Sequence, residues 1–139
     1  MSDDTKISYA LNQIIAPKSS FIDLINLAKS AGVLAIEIRN DIPVNLIEEN
    51  KPKIIKTLSE SNSIKILTVN ALQKFNLWNE ERLNELVELC KFSSLAGVEA
   101  IVLVPLNDGS VTDDIEQREL LGNSLKEIVK VLRDFDLLG

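Results

Sequence analysis

The chain has 139 residues, 45% of them hydrophobic and 26% charged, with a formal net charge of -6. That suffices for one globular domain with a core, and an acidic surface makes a phosphate backbone a poor partner. No apolar run is long enough to cross a bilayer, the opening Met1-Ser2-Asp3-Asp4 is unlike a secretory signal, and there is no histidine, which removes a Ser-His-Asp triad, a Cys-His dyad and a histidine-ligated zinc site from this chain alone.

Four short apolar runs alternate with four helical patterns. The first strand is predicted over residues 7–12. Ser20 then caps a helix whose stripe is Phe21, Leu24, Ile25, Ala28 and Ala31, with Gly32 ending it. The second strand covers residues 33–39. Pro52 suits the first turn of a helix starting near Asn50, with Ile54, Ile55 and Leu58 inward, and residues 44–49 before it read as a separate turn. The third strand covers residues 64–70. Asn79 caps the next helix, with Glu80 and Glu81 at its positive end, and Leu83, Leu86, Val87 and Cys90 on one face before Gly97. The single cysteine sits in an apolar stretch, which reads as a buried, inert thiol in a reducing cytoplasm. The fourth strand covers residues 100–104, and a last helix begins near residues 112–114 with Leu121, Leu125, Ile128, Val129, Leu132 and Phe135.

The order βαβαβαβα means an α/β fold with a parallel sheet, read here as one partial domain over residues 1–139. A small doubly wound sheet and half of a (β/α)₈ barrel both fit the unit length of roughly 30 residues. Two features favour the half-barrel. Glu37 and Arg39 share one face of the second strand while Ile36 and Ile38 share the other, as in a barrel with helices outside only. The segment Asn12-Gln13-Ile14-Ile15-Ala16-Pro17 carries no glycine, so no phosphate loop follows the first strand.

Four strand ends carry a resemblance: Ala10-Leu11-Asn12-Gln13 with Ala16-Pro17, Glu37-Ile38-Arg39-Asn40-Asp41, Asn70-Ala71 with Phe75-Asn76, and Leu103-Val104-Pro105-Leu106-Asn107-Asp108-Gly109. In that order and spacing the chain resembles the N-terminal half of the xylose isomerase-like TIM barrels, in the sugar phosphate isomerase/epimerase subgroup that includes the inosose isomerases. The resemblance implies metal-assisted proton transfer on a keto-inositol, sugar or sugar phosphate through an enediolate. It implies a divalent metal (Mn, Zn, Mg or Co) held by two Glu, an Asp and a His on strands five to eight. Those strands lie past the half that this chain resembles, so no metal is expected to bind this chain alone, and alone it is expected to be inactive.

Barrel sites of this kind form at the carboxyl ends of the strands. That singles out Asn12, Glu37, Arg39, Asn40, Asn70, Phe75 and Asn107 as candidate substrate-binding residues, with Gln13, Asp41, Asn76, Trp78 and Asp108 beside them. No catalytic residue is assigned. Glu37 and Arg39 read equally well as an internal ion pair. Asn40-Asp41 and Asn107-Asp108-Gly109 also read as turns, Trp78 as helix packing, and Lys18 and Lys74 as solvated.

A half-barrel leaves two unpaired parallel edges. It is completed by a missing C-terminal half, by a second copy in a twofold dimer, or by a partner chain. The expected ligand of a completed barrel is a small sugar or polyol, without nucleic acid or membrane. The alternative is a non-catalytic remnant or assembly module. A nuclease of the same superfamily ranks last, because the charge is negative and histidine is absent.

Overall fold

The computed structural model describes residues 7–139, so the acidic opening at residues 1–4 lies outside the described residues. The elements are β1 (Leu11–Asn12), α1 (Phe21–Ser30), β2 (Ala35–Arg39), α2 (Leu46–Glu49), α3 (Pro52–Ser61), β3 (Lys65–Gln73), α4 (Glu80–Ala96), β4 (Ala100–Val104) and α5 (Asp114–Asp134). A 3₁₀ turn, Gln13–Ile15, follows β1. The four strands form one parallel sheet in the order β1-β2-β3-β4.

The helices begin and end where local chemistry directs them. Ser20, Asn79 and Asp113 accept hydrogen bonds from backbone N–H groups in the first turns of α1, α4 and α5. Pro52 occupies the first turn of α3, where its missing N–H costs nothing. Gly97 ends α4 with φ +76°, a left-handed conformation that suits glycine.

Burial separates the two faces of the sheet. Ile36, Ile38, Ile66, Val69 and Ile101 are buried together with Leu24, Ile25, Ile55, Leu86 and Ile128 from the helices. Along β2, the side chains of Ala35, Glu37 and Arg39 alternate onto the opposite face and are only half-buried. One face is therefore helix-covered and apolar, the other open and partly polar, which is the half-barrel arrangement.

Several boundaries differ from the sequence reading. Only Leu11–Asn12 pairs as β1, while Ile7 and Tyr9 are each 72% exposed. β2 begins at Ala35, opposite Leu11 minus one, so residues 7–9 extend past the end of their neighbour. β3 runs on to Gln73, and its register with β4 shifts between Asn70 and Leu72. Ile54, Leu83, Leu125, Val129 and Ala31 are exposed, whereas Leu89 and Phe92 of α4 are buried. The covered arc of α4 is wider than one narrow stripe because the helix meets β3, β4, α3 and α5. At the chain's end Leu138 forms a parallel bridge to Ala100 on the free edge of β4.

Candidate functional site

At the carboxyl ends of the strands, three side chains from three neighbouring strands meet. Glu37 of β2 stands opposite Asn12 of β1 in the ladder. Asn12 Nδ2 donates to Glu37 Oε1 at 2.6 Å, and Asn70 Nδ2 of β3 donates to the same oxygen at 2.8 Å. Two amides thus fix one carboxylate oxygen, and the other carries no hydrogen bond among the described residues. Thr68 lies level with Glu37 on the next strand, and its Oγ1 is buried without a partner among the described residues. The sequence reading passed over Thr68, since a threonine inside a β-branched strand carries no signal of its own.

Arg39 does not join Glu37. Its Nε and a terminal NH2 nitrogen donate to the two oxygens of Asp41 at 2.8 and 2.7 Å, a bidentate pair in the turn after β2. Hydrogen bonding to Asp41 raises the guanidinium above its ordinary value, burial works the other way, and the charges of Asp41 and Glu37 add to the rise. The internal Glu37–Arg39 ion pair weighed from the sequence is therefore replaced by a local one.

The remaining candidates have different settings. Asn40 Oδ1 accepts from Ala71 N–H at 2.7 Å and its Nδ2 donates to the Ala71 carbonyl at 3.1 Å, so Asn40 ties the exit of β2 to β3. Asn76 does the same to Leu106 beyond β4, at 2.7 and 3.2 Å. Gln13 is fully buried; it accepts from Arg39 N–H at 2.8 Å and donates to the Val44 carbonyl at 3.0 Å. Phe75 is only 6% exposed and packs in the core, and Trp78 packs partly buried against it. Asn107 is exposed and lines a cleft of about 200 Å³ with Asn76, Gln117 and Leu121. Asp108 and Gly109 form a turn in which Asp108 Oδ1 accepts from Ser110 N–H at 2.9 Å and Gly109 takes φ +77°. Hydrogen bonds from the Ser110 side chain and backbone hold the Asp108 carboxyl below its ordinary value. Lys18 and Lys74 are exposed.

Among the described residues no group of three or more His, Cys, Asp or Glu side chains converges as a metal site, so the residues present do not fit the divalent ion of such barrels. No described helix is long and apolar enough to cross a membrane. Cys90 is buried, and burial pushes its thiol up to about 11.

No protein-family model and no curated protein matches the chain. Solved structures do. A xylose isomerase domain-containing protein from Salmonella typhimurium LT2 is 27% identical with a TM-score of 0.84, over 92% of this chain and 46% of its own. An IolI protein with a bound zinc atom is 21% identical with a TM-score of 0.82, over 96% of this chain and 50% of its own. A D-psicose 3-epimerase, with D-fructose present, is 12% identical with a TM-score of 0.69, over 95% and 51%. The chain spans about half the length of these proteins. Four parallel strands in sequence order, helices on one face and these matches make the chain, by fold, one half of a xylose isomerase-like TIM barrel.

Proposed function

We propose that the chain forms the substrate-holding wall of a sugar or polyol isomerase or epimerase whose metal-bearing half is supplied by further strands. The carrying observation is the Glu37 carboxylate, pinned by Asn12 and Asn70 at the strand ends, with its second oxygen unengaged among the described residues. A fixed carboxylate of this kind accepts hydrogen bonds from vicinal hydroxyls, and carboxamides beside it add donors and acceptors. The chemistry favours a neutral or keto polyol, the keto-inositols included, because a phosphate placed beside Glu37 would meet like charge. Asn40 and Gln13 act on the wall by holding its strand exits together, and Phe75 by packing behind it. Arg39, tied to Asp41 in the turn after β2, stands at the strand exit beside the wall.

The solved neighbours support this reading, since several are sugar epimerases or isomerase-like barrels. In the completed barrel, as the resemblance implies, a divalent metal would be held by the other half. No proton-transfer step is assigned to a residue of this chain. The free buried Cys90 suits a cytoplasmic setting.

The test is proton exchange in deuterated water. The chain is joined to or mixed with a completing half plus manganese or zinc, and a panel of ketoses and keto-inositols is followed by NMR for deuterium incorporation next to the carbonyl. Exchange that is lost in Glu37→Ala supports the wall. Exchange that survives Glu37→Ala with unchanged KM removes Glu37 from it. A second reading, a half-barrel that works only by assembly, is favoured by the β1 edge, unpaired among the described residues, and by the β4 edge, which pairs there with Leu138 alone. It predicts association without exchange on any substrate.

A further inference from the structure

Strand β3 departs from regular pairing twice, and the two departures flank the stretch that faces Glu37. Ala35 and Ile36 of β2 stand opposite Lys65 and Ile66, but Glu37 stands opposite Thr68, so Leu67 is passed over. On the β4 side the register slips again between Asn70 and Leu72. An extra residue of this kind re-aims the side chains that follow it. Here it sets a hydroxyl level with the carboxylate where regular pairing would set a leucine. The level runs on to Ala100 of β4, so Asn12, Glu37, Thr68 and Ala100 form one row across the four strands.

The row holds a donor without an acceptor and an acceptor without a donor. Thr68 Oγ1 is buried with no hydrogen bond among the described residues, and a buried hydroxyl is rarely left so. Glu37 Oε1 takes the amides of both Asn12 and Asn70, while Oε2 takes none among the described residues. Thr68 shares its face of β3 with Asn70, two residues on. Neighbouring strands lie about 4.8 Å apart, so level side chains on one face reach each other. The terminal torsion of a glutamate is broad and a hydroxyl proton turns freely, so a bond between the two needs no backbone movement. Ala100, the other neighbour in the row, has no polar atom in its side chain. Asn70 Oδ1 is a neutral acceptor, and the charged carboxylate makes the stronger bond.

We propose that Thr68 is a positioning residue for Glu37, its hydroxyl donating to Oε2 so that Asn12, Asn70 and Thr68 together fix both oxygens of the carboxylate. Thr68 acts through Glu37 and does not touch a ligand, since its Oγ1 is buried. This rests on the proposed role of Glu37 and refines it. A carboxylate has about four acceptor positions. With three filled, one is left for a substrate hydroxyl. Asn70 Oδ1, without a hydrogen bond among the described residues, stands beside it for the adjacent hydroxyl. A wall built so selects a polyol with two neighbouring hydroxyls over a deoxy analogue lacking either.

The test is a double-mutant cycle in urea on the 139-residue chain, with Thr68→Val and Glu37→Ala. In the wild-type background Thr68→Val is expected to lower the urea midpoint by about 0.5 M. In the Glu37→Ala background it leaves the midpoint unchanged or raises it, because the hydroxyl has already lost its acceptor. Thr68→Ser keeps the hydroxyl, so its effect is the same in both backgrounds. A Thr68→Val effect equal in the two backgrounds, whichever its sign, overturns the proposal. A second readout serves if Glu37→Ala does not fold. The side-chain amide proton signals of Asn12 and Asn70 report their hold on Glu37, and they are expected to move in Thr68→Val and to stay in place in Thr68→Ser; signals unmoved by Thr68→Val overturn the proposal as well. Neither measurement contains substrate or metal, so their failure leaves the Glu37 wall standing, and a failed exchange assay leaves the bond from Thr68 to Glu37 standing.

Discussion

Removing Gln13 should loosen the mouth of the half-barrel more than any surface change nearby. The residue is fully buried and uses both ends of its amide, on Arg39 N–H and the Val44 carbonyl. Gln13→Ala leaves those two backbone groups without partners, and each orphan costs about 1–3 kcal/mol, or about 2–6 kcal/mol together. A chain of this length carries about 7–20 kcal/mol of stability at the usual value per residue, so the variant folds with a much reduced margin. In urea, with a slope of about 1–3 kcal/mol/M, the midpoint should fall by about 2 M at mid-range values, and by at least about 0.7 M, without a change in slope. Gln13→Glu sharpens the test. At neutral pH it sets a carboxylate against the Val44 carbonyl, while the protonated acid can donate as the amide does. Its folded-state pKa is therefore raised, and its relative stability is full at acid pH and lost as pH rises through that raised value. If Gln13→Ala lies within about 0.5 kcal/mol of wild type at equal slope, the clamp contributes nothing.

Three further outcomes are expected. Gly97→Ala meets no steric obstacle, since the nearest atom to the added carbon is Lys56 Cγ at 3.6 Å. Its cost is therefore the left-handed backbone alone, about 1–2 kcal/mol, measurable as a lowered thermal midpoint; an unchanged midpoint would contradict the φ of +76°. Cys90, raised from 9.0 to about 11 by burial, favours the neutral thiol in the folded state. Its contribution is whole below pH 9 and fades as pH climbs towards 11, and the native chain resists a thiol reagent at pH 8 until urea is added; rapid native labelling would refute this. Glu37→Gln keeps an acceptor for Asn12 and Asn70 and should match the wild-type urea midpoint, whereas Glu37→Ala loses about 1 kcal/mol. Equal midpoints for the two variants would show that the amide bonds to Glu37 add no stability.

Much of the fold was legible along the chain because its signals are local. β4, the caps Ser20 and Asn79, and the start of the last helix near residues 112–114 are properties of a few consecutive residues, and they fall where expected. The alternation in β2, with Ile36 and Ile38 inward, follows from the two-residue period of a strand. The site was legible only as a set of positions at the strand ends. Asn12, Glu37 and Asn70 come together as anticipated, yet their bonds join residues 25 and 33 apart in sequence. Arg39 went to Asp41, because a partner two residues away in a turn is reached with less loss of side-chain freedom than one across the mouth. Phe75 and Gln13 look alike as mouth residues in the sequence, and burial separates both from the surface.

Hydrophobic periodicity, capping residues and glycine positions determined by themselves that this protein is a run of parallel βα units with one apolar and one polar sheet face. Tertiary structure alone decided which amide grips which strand, that Glu37 is held by two asparagines, and that Leu138 lies on the edge of β4. The physical reason is range. Periodicity and caps depend on backbone geometry within a turn or two, whereas hydrogen-bond partners across strands depend on the register that packing of the whole sheet selects.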